Sequence, residues 1–121
     1  MKALVIDDSR AVRMVVSRIL NGIGVSTVEA ENGKDALDKL HSTDDINICL
    51  VDWNMPVMNG YDFICEVRKD PTYADVKLMM VTTENEASQI LKALTAGVDE
   101  YVMKPFTDDI IVEKLSMLGL I

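Results

Sequence analysis

The chain has 121 residues, 49% of them hydrophobic and 5% aromatic, which suits a single domain with an aliphatic core. Its formal net charge is −8 and its basic residues form no stripe, which argues against binding to a nucleic-acid backbone. No apolar run is long enough to span a bilayer and no signal-peptide pattern opens the chain, so we expect a cytoplasmic protein. Cys49 and Cys65 lack metal-site or redox spacing and predict neither a disulfide nor a zinc site.

The first elements are a strand and a helix. Ala3–Ile6 is a short apolar run that predicts a buried strand, and two acids, Asp7 and Asp8, follow it directly. Ser9 is a suitable N-cap for the next helix, whose apolar residues recur at helical spacing until Gly22.

The middle of the chain repeats this alternation. Val25–Ala30 predicts a second strand, and Asn32 opens a second helix. Ile48–Val51 is apolar at every position, so it predicts a central strand covered on both faces. That strand ends abruptly at Asp52, and after a proline-bearing loop Tyr61–Lys69 predicts a third helix.

The last third adds two more strand and helix pairs. Lys77–Thr83 predicts a fourth strand, Glu86–Ala96 a fourth helix and Glu100–Met103 a short fifth strand. Lys104 follows that strand, and Thr107 is placed to cap a fifth helix. Alternating strands and helices predict an α/β fold, a single doubly wound (βα)5 domain over residues 1–121 with a parallel sheet. We expect no output domain beside it.

The unusual polar residues all follow predicted strands. Asp7 and Asp8 come after the first, Asp52 after the third, Thr82 at the end of the fourth and Lys104 after the fifth. In a doubly wound parallel sheet these positions converge on one crevice. Clustered carboxylates favour either a protonated carboxyl or a bound divalent cation, and Mg²⁺ prefers oxygen ligands of this kind. With a lysine and a hydroxyl, the set is typical of a phosphoryl site in which Asp52 is the nucleophile.

Other interpretations fit the residues less well. Asp7 and Asp8 alone would more often cap a helix than bind a metal. A phosphatase with an aspartyl nucleophile needs a second acid two residues on, where this chain has Asn54, which cannot protonate a leaving group. No Gly-rich nucleotide-binding motif is present. A scaffold without phosphorylation would lack an acid or the lysine. His41 is expected to be a solvated residue at a helix end.

Four segments, in order and in register, resemble the receiver domain of two-component response regulators. They are Asp7-Asp8, Asp52 with W-N-M-P-V-M-N-G after it, Thr82, and Y-V-M-K-P-F at 101–106. Within that family, these segments are most similar to those of the free-standing chemotaxis regulators. The resemblance implies a flavodoxin-like sheet of order 2-1-3-4-5.

The resemblance also implies the roles of single residues. Asp52 would accept a phosphoryl group from the phosphohistidine of a histidine kinase. Asp8, Asp52 and the backbone carbonyl of Asn54 would bind Mg²⁺, with Asp7 helping through water. Lys104 would hold a phosphoryl oxygen.

Two further residues would carry the signal. Thr82 would move toward the phosphoryl group, and Tyr101 would turn inward behind it. The face formed by the fourth helix, fifth strand and fifth helix would then change its affinity for a partner. Thr83 departs from the family pattern, which more often has a smaller residue there, and would narrow access to the site.

The resemblance implies a signalling switch and not an enzyme, although a phosphoacceptor of this kind assists its own phosphorylation and dephosphorylation. The expected phosphoryl donor is a CheA-like histidine kinase, and the expected target is a flagellar motor switch protein. We expect a monomer that binds neither nucleic acid nor membrane. Two alternatives stay open: a phosphorelay intermediate that passes the group to a histidine phosphotransfer protein, and a receiver cut from a longer regulator.

Overall fold

Strands and helices alternate throughout the computed structural model, which describes residues 1–121. The strands are β1 (Lys2–Ile6), β2 (Ser26–Ala30), β3 (Ile48–Val51), β4 (Lys77–Thr82) and β5 (Glu100–Met103). The α-helices are α1 (Arg10–Gly22), α2 (Gly33–Ser42), α3 (Gly60–Lys69), α4 (Ala87–Ala96) and α5 (Asp108–Met117). A short 3-10 helix, Pro71–Tyr73, lies between α3 and β4. None of the helices is long and apolar enough to cross a membrane.

All neighbouring strands pair in parallel, in the order β2-β1-β3-β4-β5, which confirms the predicted doubly wound fold. From β1 the chain builds to one side through β2, and from β3 it builds to the other side through β4 and β5. The loops after β1 and β3 therefore diverge, and a crevice opens between them at the carboxyl edge of the sheet. This order places the ends of β1 and β3 side by side.

The core consists of two apolar layers, one on each face of the sheet. Alternate residues of β3 supply both layers: Cys49 and Val51 pack with α2 and α3, and Ile48 and Leu50 pack with α1 and α5. Because β3 has both faces covered, its four residues are all buried. The continuous apolar run in the sequence is the direct consequence of this double burial.

Helix starts follow the capping residues that the sequence offers. The Ser9 hydroxyl accepts a hydrogen bond from the Val12 amide, and the Thr107 hydroxyl accepts one from the Ile110 amide, as predicted. Several predicted strand and helix boundaries differ from the structure by one residue, and the one that bears on the site is the end of β4, which lies at Thr82 and not at Thr83. The last pair of that ladder joins Thr82 to Met103, so Thr83 has no strand partner and is exposed.

The loop between β3 and α3 contains a strained residue. Val57 has a φ of 70°, and the Met58 amide donates to the Pro56 carbonyl at 2.8 Å, which closes a γ-turn. A β-branched residue is disfavoured in this region of backbone conformation. The Val57 side chain is 79% exposed, so little packing offsets the strain.

We therefore expect Val57→Gly to stabilise the protein by about 1 kcal/mol, because relief of the strained φ exceeds the entropy that glycine adds to the unfolded chain. Urea unfolding at equilibrium measures the change. Val57→Ala, which keeps a Cβ atom, should gain less than the glycine variant. A glycine variant less stable than wild type would show that the turn is not strained.

Candidate functional site

Two acids stand next to each other at the carboxyl edge because β1 and β3 are neighbours. The last register pair of these strands is Ile6 with Val51, and the next residues are Asp7 and Asp52. The Asp52 amide donates to the Ile6 carbonyl at 3.0 Å, which extends the ladder by one bond. The Asp7 side chain is 5% exposed, so a carboxyl group is buried at the bottom of the crevice.

Lys104, which follows the edge strand β5, forms ion pairs with both of these acids. Its ammonium nitrogen lies 2.7 Å from Asp7 Oδ2 and 3.1 Å from Asp52 Oδ2. The Lys104 amide donates to the Thr82 carbonyl at 2.8 Å, which fixes the residue at the end of β4 and β5. The peptide bond from Lys104 to Pro105 is cis. The predicted convergence of Asp7, Asp52 and Lys104 is therefore present in the structure.

The site is short of positive charge. Burial, the largest influence, raises the pKa of Asp7 above its ordinary value, and the Lys104 hydrogen bond offsets this only in part. Burial acts to lower the pKa of Lys104, but its hydrogen bond to Asp7 and the charges of Asp52 and Asp7 raise it overall. Asp7 and Asp52 together thus stabilise the charged form of Lys104, whereas Lys104 only partly offsets the burial that disfavours the charged form of Asp7.

A third acid completes a group that fits a divalent cation. Carboxylate oxygens of Asp7, Asp8 and Asp52 all lie within 4.8 Å of one another, and Asp8 is exposed at the mouth of the crevice. An oxygen-only donor set, partly open to water, is the chemistry that Mg²⁺ prefers. The residues present therefore fit the predicted metal. Asn54, predicted as a ligand through its carbonyl, is exposed on the loop after β3, and its role stays a prediction.

The second carboxylate oxygens of Asp7 and Asp52 also accept hydrogen bonds. Asp7 Oδ1 accepts a hydrogen bond from the Ser9 amide at 2.8 Å, and Asp52 Oδ1 accepts one from the Trp53 amide at 2.7 Å. These bonds orient both carboxylates toward Lys104 and Asp8. The geometry is that of a preformed anion cluster, which suits a site that receives a cation and a phosphoryl group.

The two predicted switch residues, Thr82 and Tyr101, both form hydrogen bonds with the backbone of Glu84. Thr82 is fully buried, and its Oγ1 accepts a hydrogen bond from the Glu84 amide at 3.2 Å. The Tyr101 hydroxyl donates to the Glu84 carbonyl at 2.7 Å. Burial, together with the charges of Glu84 and Asp52, raises the pKa of Tyr101 to about 12, so this hydroxyl remains a donor at neutral pH. The loop after β4 thus connects Thr82 to Tyr101.

Two features near the site were missed by the sequence analysis. Arg13 of α1 donates to the Asp7 carbonyl at 2.6 Å and pairs with Glu29 at 3.0 Å, so it supports the β1 end from behind. Trp53 is buried and stacks on Tyr61, with ring centroids 5.6 Å apart. Arg13 gave no signal in the sequence beyond its position within the predicted first helix. A single tryptophan beside the predicted nucleophile was the one available signal for the stack.

His41 is exposed, as expected, and stacks on Tyr73 with ring centroids 5.7 Å apart. It lies in the last turn of α2, toward the opposite edge of the sheet, and makes no contact with the acid cluster. The crevice chemistry therefore belongs to the residues that follow β1, β3, β4 and β5.

Sheet order, acid cluster and bridging lysine together define a class of protein. Residues 3–116 match the response regulator receiver domain family. Because the match spans most of the chain, the chain belongs to the receiver domain family of two-component systems.

Its relatives in that family include chemotaxis proteins. The chain is 40% identical over 119 residues to the chemotaxis protein CheY1 of Helicobacter pylori, covering 98% of this chain and 96% of that protein. It is 42% identical over 116 residues to a chemotaxis CheY homologue of Campylobacter jejuni, covering 95% of this chain and 89% of that protein.

Solved structures agree with the fold. The structure of the Vibrio cholerae chemotaxis protein CheY4 superposes with a TM-score of 0.90 at 30% identity and covers 97% of each chain. A CheY-like receiver domain from Methanospirillum hungatei superposes with a TM-score of 0.88 at 27% identity, covering 98% of this chain and 93% of that chain. The resemblance deduced from four sequence segments is therefore confirmed over nearly the whole chain.

Proposed function

We propose that this protein is a phosphorylation-dependent switch in which Asp52 accepts a phosphoryl group from the phosphohistidine of a histidine kinase. The observation that carries the proposal is the bridge from Lys104 to Asp7 and Asp52, with Asp8 completing a carboxylate cluster within 4.8 Å. The Lys104 ammonium nitrogen lies 3.1 Å from Asp52 Oδ2, so a carboxylate nucleophile at this position has a cation beside it. Sequence relatives named as chemotaxis proteins support a role in chemotaxis, and a CheA-like histidine kinase is the donor in this proposal.

The transfer needs little covalent chemistry from the protein. A carboxylate oxygen of Asp52 forms a bond to phosphorus while the phosphorus–nitrogen bond breaks, and the bonding pair stays on the imidazole nitrogen. Asp8, Asp52 and the Asn54 carbonyl would hold Mg²⁺, with Asp7 helping through water, and the cation would supply positive charge for the phosphoryl oxygens. Lys104 is already directed at Asp52, so its ammonium group can pair with a phosphoryl oxygen without a large movement.

The output follows from a second set of residues. An anionic phosphoryl group on Asp52 offers a new acceptor to the Thr82 hydroxyl, which now accepts from Glu84. Any shift of Glu84 changes the acceptor of the Tyr101 hydroxyl. The face formed by α4, β5 and α5 exposes apolar side chains that suit a protein target such as a flagellar motor switch protein, and they include Leu91, Leu94 and Ile110. Phosphorylation would bias this face between two states.

Fluorescence of Trp53, the only tryptophan, tests the proposal. Mg²⁺ is titrated first and beryllofluoride, a mimic of a bound phosphoryl group, second; we expect a saturable change at each step. Acetyl phosphate with Mg²⁺ should add the mass of one phosphoryl group. Asp52→Asn should lose the second fluorescence change and the mass increase, because an amide oxygen is not a nucleophile of comparable strength.

The control is Asp44→Asn, which removes an acid on the loop after α2, away from the crevice, and should behave as wild type. If Mg²⁺ leaves Trp53 unchanged and no phosphoryl group is added to the wild type, the proposed function is wrong. If Asp52→Asn is phosphorylated as well as wild type, the acceptor has been misassigned.

A further inference from the structure

Helix α4 is anchored unevenly. The N-cap side chains of α1, α2, α3 and α5 each accept a backbone hydrogen bond, but the N-cap of α4, Glu86, accepts none. Only one residue of α4, Ala93, is buried. The start of α4 therefore lacks the side-chain cap that the other four α-helices have, and it buries no residue before Ala93.

The C-terminal end of α4 is held firmly. Gly97 ends the helix in the left-handed conformation, and its carbonyl accepts a hydrogen bond from Arg68 Nε at 3.0 Å. Arg68 also pairs with Asp99 at 2.9 Å, and the same Asp99 oxygen accepts a bond from the Leu78 amide at 2.8 Å. Arg68 of α3 thus ties the end of α4 to the sheet.

Between these ends, a stack of side chains leads from α4 to the phosphorylation site. The Lys92 ammonium group lies 4.4 Å from the centroid of the Tyr61 ring. That ring stacks on Trp53 at 5.6 Å with an interplanar angle of 14°, and the Trp53 amide donates to Asp52 Oδ1. Each step is a direct contact, and none involves Thr82 or Tyr101.

We infer that α4 pivots on its Arg68-bound end and that the Trp53–Tyr61–Lys92 stack couples its N-terminal half to the state of Asp52. The inference rests on the proposed phosphorylation of Asp52. Phosphorylation converts the Asp52 carboxylate into an acyl phosphate, whose two carboxyl oxygens no longer share a negative charge, so the contact of Asp52 with either the Trp53 amide or Lys104 weakens. Trp53 is buried against Tyr61, so a change in its backbone contact is passed to the ring on which Lys92 rests. Tyr61 and Lys92 are positioning residues in this scheme.

Hydrogen–deuterium exchange with and without beryllofluoride, in Mg²⁺, tests the coupling. The ligand fixes Asp52 and its neighbours, so in wild type we expect slower exchange of amides 86–92 and little change at 93–97. In Lys92→Met the stem remains but the cation is lost, and the slowing at 86–92 should shrink on the order of threefold. Lys92→Arg should restore it, because a guanidinium group also binds an aromatic face.

Variants at Tyr61 test the next contact in the stack, and a variant at Lys34, which is distant from it, is the control. Tyr61→Phe should keep the response and Tyr61→Leu should lose it, while Lys34→Met on α2 should respond as wild type. Binding of beryllofluoride is followed separately by the midpoint of the Trp53 titration. Variants that bind the ligand and still show the full slowing at 86–92 would overturn the coupling and leave the proposed function intact. A wild-type protein that binds no beryllofluoride would overturn both.

Discussion

We expect Gly60→Ala to destabilise the fold by about 3 kcal/mol, a large effect for the addition of one methyl group. A Cβ atom at Gly60 would lie 1.9 Å from the Asp52 carbonyl oxygen and 2.9 Å from its carbonyl carbon. Both atoms belong to the backbone at the end of β3, so no side chain can rotate away. The Gly60 amide also donates to the Trp53 carbonyl at 2.8 Å, and a displaced residue would lose that bond.

The same substitution should weaken the candidate metal site, because the clash displaces Asp52 itself. Urea unfolding measures the stability, and a Mg²⁺ titration followed by Trp53 fluorescence measures the site. Gly22→Ala is a matched control: nothing lies within 4 Å of its Cβ position, and it ends α1 without a positive φ. The control should be neutral or more stable by about 0.5–1 kcal/mol, since alanine reduces the entropy of the unfolded chain. Equal losses in both variants would contradict the steric argument.

The sheet was predictable because double burial leaves a clear pattern in the sequence. Ile48–Val51 has no polar position, and a strand of that kind belongs inside a parallel sheet. The capping residues Ser9 and Thr107 and the glycine after α4 marked helix ends for equally local reasons. Strand order was a different matter, because the residues alone do not specify which strands are neighbours. That part came from the resemblance, and the structure confirms it.

The acid cluster was predictable because parallel strands bring their carboxyl ends to one edge. What the sequence did not show is which of the acids is buried and which is exposed. Asp7 is buried and bonded to Lys104, whereas Asp8, the next residue, is exposed at the mouth. Neighbouring residues after a strand point in opposite directions, so one buried and one exposed acid is the expected result once the strand is placed.

The side-chain stack beside the site was not predictable, because it joins residues from different elements. Most of α3, the short 3-10 helix, β4 and the first half of α4 lie between Tyr61 and Lys92 in the sequence, and only the packing of α3 against α4 brings them together. The same holds for Arg68, whose partners Gly97 and Asp99 are distant in the sequence. Long-range polar contacts of this kind leave no periodic signal, unlike helix faces and strands.

We expect Lys104→Met to destabilise the protein by about 2–3 kcal/mol at neutral pH, because it removes the cation between two carboxylates and leaves them facing each other. Lys104 is 17% exposed, and its partners Asp7 and Asp52 are 5% and 12% exposed, so water screens the lost charge only in part. Methionine keeps most of the side-chain volume, so the loss reports electrostatics more than packing.

The pH dependence of this loss has a definite sign. Burial and the charge of Asp52 already raise the pKa of Asp7, whereas Lys104 and the hydrogen bond from the Ser9 amide lower it. Without Lys104 the pKa of Asp7 in the folded protein rises further above its unfolded value of about 3.9. A raised carboxyl pKa lowers stability once pH exceeds the unfolded value, so the deficit should be small near pH 4 and grow toward about pH 7. In wild type the pKa of Lys104 is raised, so its contribution to the free energy of unfolding is fully present below the unfolded pKa of about 10.4 and is lost only at more alkaline pH.

Lys114→Met provides the matched comparison. Lys114 pairs with Glu100 at 2.9 Å, and the two side chains are 26% and 20% exposed, but no second acid shares the ammonium group. We expect a loss of about 1 kcal/mol or less. Urea unfolding of both variants between pH 4 and 8 measures the difference.

Millimolar Mg²⁺ should restore more stability to Lys104→Met than to wild type, because a divalent cation that binds only the folded carboxylates replaces the missing charge. Equal, pH-independent losses with no rescue by Mg²⁺ would mean that Asp7, Asp8 and Asp52 do not act as a charged cluster, and the basis for a metal and a phosphoryl group in this crevice would be lost.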